Sequence, residues 1–217
     1  GNALGAYYAK KMGANIGRIK IASNQNNILT QLFTTGIYDL NNKELISTIS
    51  PAMDILVSSN VERLLFDKFG AVRTKELMDS LATNKKYELT NDELNVLKAD
   101  FDAAFCTDDE CIENISKMAK SGILIDPHTA TCLNLVNDEN ITVITSTAQW
   151  VKFTPSMIKA LKNRTSTDEL ADMQLLASKY HVKLPKSIIK LFKEEAIHTD
   201  IVKKNQIKSN IIEWIKQ

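Results

Sequence analysis

At 217 residues, 44% hydrophobic and 24% charged, the chain has the make-up of an ordinary globular protein, long enough for one large domain or two small ones. A formal net charge of +1 gives no footprint for nucleic acid or an anionic membrane surface, and no apolar run approaches a membrane span. Three cysteines, Cys106, Cys111 and Cys132, are too few and too odd in number for a disulfide framework, and none of the three histidines stands at metal-motif spacing to them. These features point away from a zinc site and toward a reducing cytoplasm.

The chain opens on Gly1 rather than methionine, and the spacing of Leu4, Tyr7, Tyr8 and Met12 predicts a helix over Ala3–Met12 with Gly13 as its C-cap. Arg18–Ser23 reads as a strand, Asn24–Asn27 as a polar loop, and Ile28–Thr35 as a helix ending at Gly36. Ile55, Leu56 and Val57 form a short apolar run expected to be a buried strand. A helix follows, with Ser59 and Glu62 as a capping box, Val61, Leu64, Leu65 and Phe69 on one face, an Arg63–Asp67 pair, and Gly70 as its stop. Strand, loop, helix in alternation is the pattern of an α/β domain with a parallel sheet, whose ligands sit beyond the carboxyl ends of strands. Asn24–Asn27 and Ser58–Asn60 take that position, where ordinary turn and cap chemistry competes with ligand contact.

From residue 71 to residue 122 the pattern turns helical: Thr74–Leu81, then Asp92–Ala99 capped by Thr90 with Glu93, then Glu110–Lys120 after Thr107. A brief strand is expected at Lys86–Leu89. The acids Asp108–Glu110 suit a first helical turn, where the macrodipole stabilises them, better than a metal site. Asp126 and Pro127 are a good N-cap and first helical residue, and His128 beside them can brace the helix or orient an anion. Cys132 reads as a small core residue. Ile141–Ile144 is expected to be a central strand, with Thr147 beyond its carboxyl end. After Pro155 the chain becomes helical and lysine-rich, over Met157–Leu161, Asp168–Tyr180, Pro185–Ala196 and Thr199–Lys216, with Ile188, Leu191, Phe192, Ile211, Ile212 and Ile215 on the apolar face.

Several segments are more specific than their patterns. GNALGAYYAKKMG at Gly1–Gly13, SNQNNILTQLFTTGIYD at Ser23–Asp39, SPAMDI at Ser50–Ile55, SSNVERLLF at Ser58–Phe66 and DPHTA at Asp126–Ala130 occur in that order. Together they resemble the pyridoxal-phosphate-dependent threonine synthases. The resemblance covers most of Gly1–Phe153 and is weak over the helical insert and the C-terminal tail. Near Thr147 it is partial: Thr147, Ala148, Lys152 and Phe153 match the family's segment, whereas Gln149, Trp150 and Val151 replace its histidine-containing stretch.

The resemblance implies an α/β chain, the parallel-sheet large domain of the type II (tryptophan synthase β-like) fold, with a helical insertion at about 71–122 and a helical tail at about 155–217. It implies pyridoxal 5'-phosphate as cofactor and conversion of O-phospho-L-homoserine and water to L-threonine and phosphate. The family's Schiff-base lysine lies upstream of the Gly-Asn loop, so the chain is expected to be the C-terminal part of a longer enzyme, to contain no catalytic residue, and to partner the missing N-terminal part. Gly1, Asn2 and Thr147 would bind the cofactor, the first two at its phosphate and Thr147 at its pyridine nitrogen. Ser58, Ser59, Asn60, Asn26 and His128 would face the substrate. Two rivals remain: a related phospho-lyase releasing a 2-oxo acid and ammonia, and a non-catalytic α/β interaction module.

Overall fold

The structure, a computed structural model, describes residues 1–137, 141–146, 148–197 and 199–216, in two units, Gly1–His181 and Val182–Gln217. The first unit begins with α1 (Asn2–Lys11), β1 (Ile19–Ser23), α2 (Ile28–Thr35) and β2 (Ile37–Asp39). It continues through α3 (Ser59–Asn84), β3 (Lys86–Glu88), α4 (Asn91–Lys98) and β4 (Phe101–Phe105). Strand β4 lies parallel to β1, with Ile19 opposite Phe101 and Ser23 opposite Phe105, while β2 and β3 pair antiparallel with Tyr38 opposite Tyr87. Ile19, Ile21 and Ser23 are buried in alternation along β1, so its inward face meets the core that α1, α2 and α3 cover. Phe101 anchors that core, its ring 5.2 Å from Phe33 and 5.6 Å from Tyr7.

A second cluster is built from α5 (Asp108–Lys120), α6 (Pro127–Ala130), α7 (Thr154–Lys162) and α8 (Glu169–Lys179), around Cys111, Ile115, Met157, Ile158 and Leu176. The predicted tail from 155 therefore divides, because α7 and α8 pack in the first unit. The second unit holds α9 (Lys186–Leu191) and α10 (Ile207–Ile215), both shorter than predicted, and leaves Leu191, Phe192, Ile211, Ile212 and Ile215 exposed instead of forming a buried face. No helix among the described residues is long and apolar enough to cross a membrane.

The segment from 71 to 122 is not helical throughout. It supplies β3 and β4, and β4 is the parallel partner of β1, which makes the segment integral to the sheet. The capping box of Thr90 and Glu93 on α4 forms as the sequence predicts, and a second box, Thr107 with Glu110, opens α5.

Two predicted strands do not form. Ile55–Val57 lies between a 3-10 turn at Pro51–Met53 and α3, with Ile55 and Val57 exposed. Ile141–Ile144 runs irregularly, with Ile141 100% and Val143 87% exposed. An apolar run becomes a strand only where a neighbouring strand accepts its backbone groups, and neither run finds one among the described residues.

The start of α3 also departs from expectation. Ser58, not Ser59, is the N-cap, and no side chain caps the helix. Ser59 is already helical, so it is one position too late for a box with Glu62. Asp67 is taken by α1, accepting from the Tyr7 hydroxyl and from Lys11 at 2.5 Å each, and Arg63 is left exposed.

Gly70 interrupts α3 as predicted, and the chain resumes as helix at once. Its φ of 78° and ψ of 175° belong to a region open almost only to glycine, although a Cβ there would meet nothing within 4 Å. Gly70→Ala should therefore cost about 1–3 kcal/mol through backbone strain alone. Urea denaturation should report that loss as a lower midpoint with an unchanged slope.

Candidate functional site

The loop after β1 and the segment leading to α3 are joined by one half-buried carboxylate. Asp54 Oδ1 accepts from Asn24 Nδ2 at 2.7 Å, Asn26 Nδ2 at 3.0 Å and Thr48 Oγ1 at 2.7 Å, and its Oδ2 accepts the Thr48 N–H at 3.0 Å. Asn24, only 1% exposed, also donates to Ser50 Oγ, and its Oδ1 accepts the Asn26 N–H in an Asx turn. Asn26 closes the other side, donating to the Ile46 carbonyl at 2.8 Å and accepting the Ile46 N–H at 2.9 Å. The amide of Asn26 is thus consumed in shaping the loop. This geometry makes it a brace, where the sequence reading placed it against substrate.

His128 is a brace of the same kind. Its Nδ1 donates to Asp126 Oδ1 at 2.9 Å and its Nε2 accepts the Ala52 N–H at 3.1 Å, which assigns the neutral tautomer. The ring is buried and tilted against Phe153 at 4.6 Å. Both ring nitrogens are used within the protein, so the ring ties α6 to the Pro51–Met53 turn and has no nitrogen to offer a substrate. The bracing alternative for this residue is the one the geometry favours.

Asp126 caps α6, accepting the His128 N–H at 2.9 Å and the Thr129 hydroxyl. Burial alone would raise its pKa. Hydrogen bonds from the His128 ring, the Thr129 hydroxyl and the His128 N–H outweigh burial and hold the carboxyl below the ordinary aspartate range.

The remaining assigned residues come together at two helix starts. A Cβ on Gly1 would lie 3.9 Å from Asn60 Nδ2, so the N-termini of α1 and α3 meet. Neither helix has a side-chain cap, whereas α4 and α5 have full capping boxes. Gly1, Asn2 and Ser59 are exposed, and Ser58 and Asn60 are half-buried. Tyr38 fixes the approach to α3: its hydroxyl donates to the Leu56 carbonyl at 2.7 Å and accepts the Ser58 N–H at 2.9 Å. The ring of Tyr38 is stacked on Tyr87 at 5.0 Å. Thr147 lies outside the described residues.

Sequence reasoning named Asn24 only as part of the Asn24–Asn27 loop, and missed Asp54, Thr48 and Tyr38. The Tyr38–Leu56 and Asn24–Asp54 pairs are 18 and 30 residues apart, and no local spacing encodes such pairs. The available signals were Tyr38 within the Ser23–Asp39 segment and Asp54 within SPAMDI. Among the described residues no group of three or more His, Cys, Asp or Glu could hold a metal. An open groove of about 400 Å³ beside α7, lined by Ser156, Lys159 and Arg164 among others, includes none of the assigned residues.

A depressed folded-state pKa contributes stability that is present above the unfolded value and is lost as pH falls through the folded one. Asp126→Asn should cost about 1.5–3 kcal/mol at pH 7, the scale of a hydrogen bond to a charged group. The gap from wild type should narrow as pH falls below about 3.9, where the unfolded carboxylate takes up a proton that the folded one still refuses, and should close as pH falls through the lower folded value. Urea midpoints at pH 7 and pH 3 measure it, and a gap of equal size at both would refute the assignment.

No family model matches the chain. Threonine synthase-like 1 of Homo sapiens is 41% identical to it over 182 residues, covering 78% of this chain and 24% of that protein. Threonine synthase of Saccharomyces cerevisiae is 34% identical over 185 residues, covering 74% of this chain and 36% of that protein. The chain thus spans about a quarter to a third of the length of these curated relatives. Among solved structures, threonine synthase from yeast superposes with a TM-score of 0.82 and 27% identity, over 99% of this chain and 45% of that one. The PLP-bound threonine synthase from Brucella melitensis gives 0.70 and 28%, over 88% of this chain and 43% of that one. The architecture is that of the type II fold these enzymes share. With the sequence matches and the fold in agreement, the chain belongs to the threonine synthase family, of whose members it spans a part.

Proposed function

We propose that this chain is part of a pyridoxal-phosphate-dependent lyase that converts O-phospho-L-homoserine and water to L-threonine and phosphate. The observation that carries the reading is the meeting of α1 and α3 at Gly1 and Asn60, two helix starts without side-chain caps. Such ends present backbone N–H groups and a partial positive charge, and the cofactor and the substrate each bear a phosphate ester. The donors present fit a phosphate: Gly1 puts no side chain between the helices, Asn60 adds an amide, and Ser58 and Ser59 add hydroxyls.

On this reading Gly1 and Asn2 hold the cofactor phosphate, and Ser58, Ser59 and Asn60 bind and orient the substrate phosphate. Thr147 is assigned the pyridine nitrogen by the resemblance alone, as a neutral partner that places no full charge beside it. When bound, the cofactor supplies an electron sink for proton removal at successive substrate carbons. Asn26 and His128 act one step back, by holding the loops that carry Ser50–Asn60. No lysine of the chain stands in the family's Schiff-base context, so that lysine is assigned to the part of the family's length outside this chain. Cysteine usage assigns the enzyme to the cytoplasm.

A second reading, a phospho-lyase giving a 2-oxo acid, ammonia and phosphate, takes the same phosphorylated substrate and would use the same two helix starts. Product analysis separates the two, since only one route makes L-threonine.

The decisive assay supplies O-phospho-L-homoserine and pyridoxal phosphate to this chain and, separately, to the whole protein that contains it. The whole protein should release phosphate and L-threonine, and the chain alone should release neither. Turnover by the chain alone would overturn the lysine assignment, and no turnover by the whole protein would overturn the function. In the whole protein Asn60→Asp should raise KM for the phosphorylated substrate about 10–100-fold, the equivalent of losing one hydrogen bond to a charged group.

A further inference from the structure

Cys106 and Cys111 take no part in the site above, yet their placing is specific. Cys106 immediately precedes Thr107, the N-cap of α5, and Cys111 is the fourth residue of that helix. Those are the two positions whose side chains pack together in a hydrophobic staple, and both cysteines lie in one buried cluster. Each is 1% exposed. The Cys106 N–H donates to the Ser23 carbonyl at 2.9 Å, which fixes it at the end of the β1–β4 pair. Asn114 Nδ2 lies 3.9 Å from Cys106 Sγ, and Cys111 Sγ lies 3.2 Å from the Pro127 carbonyl at the start of α6.

The two thiols are chemically unequal. The neighbouring Cys111 holds the Cys106 thiol below its ordinary range, against burial and the nearby Glu110 and Asp108 carboxylates. The neighbouring Cys106, together with burial, pushes Cys111 up, and the Cys111 thiol donates to the Pro127 carbonyl, so Cys111 keeps its proton while Cys106 is the nucleophile. Cys132, half-buried on the Thr131–Leu135 turn, is pushed up by burial and belongs to neither role.

We propose that Cys106 and Cys111 form an oxidisable pair that a small hydroperoxide closes into an intramolecular disulfide, a modification site where β4, α5 and α6 join. Burial selects the oxidant, because hydrogen peroxide is close to water in size and a glutathione disulfide is not. The Cys106 sulfur attacks one peroxide oxygen, the O–O bond breaks, and the departing hydroxide takes the Cys106 proton to leave water. Cys111 then attacks the sulfenic sulfur, the S–O bond breaks, and the Cys111 proton leaves with that oxygen as a second water. Two thiols lose two electrons, and one peroxide becomes two waters. The bridge spans only the first turn of α5, and it removes the thiol proton that faces the Pro127 carbonyl.

The test exposes the folded chain to hydrogen peroxide, quenches with catalase, denatures, alkylates and maps the peptides. Two of the three thiols should be lost to alkylation, in a Cys106–Cys111 cross-link that dithiothreitol reverses, with Cys132 still alkylated. Oxidation of Met12, which is 85% exposed, shows that the dose was sufficient. In Cys111→Ser the sulfenic acid should persist at Cys106 and be captured by a 1,3-dione. Three alkylatable thiols beside an oxidised Met12, a bridge that includes Cys132, or a bridge between two chains would each overturn the proposal. If the serine variant does not fold, the wild-type map decides alone.

Discussion

The carboxylate of Asp54 is the constraint on which the neighbouring loops depend. It is approached by the loop after β1, through Asn24 and Asn26, and by Thr48 from the segment before the Pro51–Met53 turn. Three side-chain donors and one backbone N–H converge on this half-buried carboxylate, and each ties its own segment to the others. His128 extends the same logic by accepting the Ala52 N–H from across the chain while Asp126 fixes its tautomer. The stretch from Ser50 to Asn60 therefore enters α3 on a path set by hydrogen bonds at Asp54, Ala52 and Ser58, the last held by Tyr38.

That pattern explains what could be read from the sequence and what could not. Local rules were legible: β1, α2 with its Gly36 cap, the box at Thr90, and the break at Gly70 all follow from spacing within a few residues. Non-local pairing was not. Nothing in Phe101–Phe105 announces that it will pair with β1, and nothing in Ile141–Ile144 announces that it will run irregularly. The same limit applied to the site. Ser58, Ser59 and Asn60 were legible as donors at a helix start, because that depends on chain order alone. Asn26 and His128 were legible as polar residues in the right loops, but whether such a group faces a ligand or a neighbour is decided by residues 20 or more positions away.

The first unit treats its helix starts in two ways, and the contrast bears on function. For α4 and α5, reciprocal boxes satisfy the first-turn N–H groups, and the acids Asp92, Asp108 and Asp109 lie against the positive end of each dipole. Those ends are closed to any further anion. For α1 the first turn carries no acid and its N-cap residue, Gly1, has no side chain to cap with; for α3 no side chain caps the start, although Glu62 lies in its first turn. A helix start without a cap is less stable than a capped one by about 1 kcal/mol, so two such starts brought together represent a local cost. Hydrogen bonds at Tyr38 and Asp54 nonetheless set the path of the chain into one of them. Rigid support beneath a donor-rich, uncapped surface is what binding an anion requires, since donors fixed in advance lose little freedom when the anion arrives.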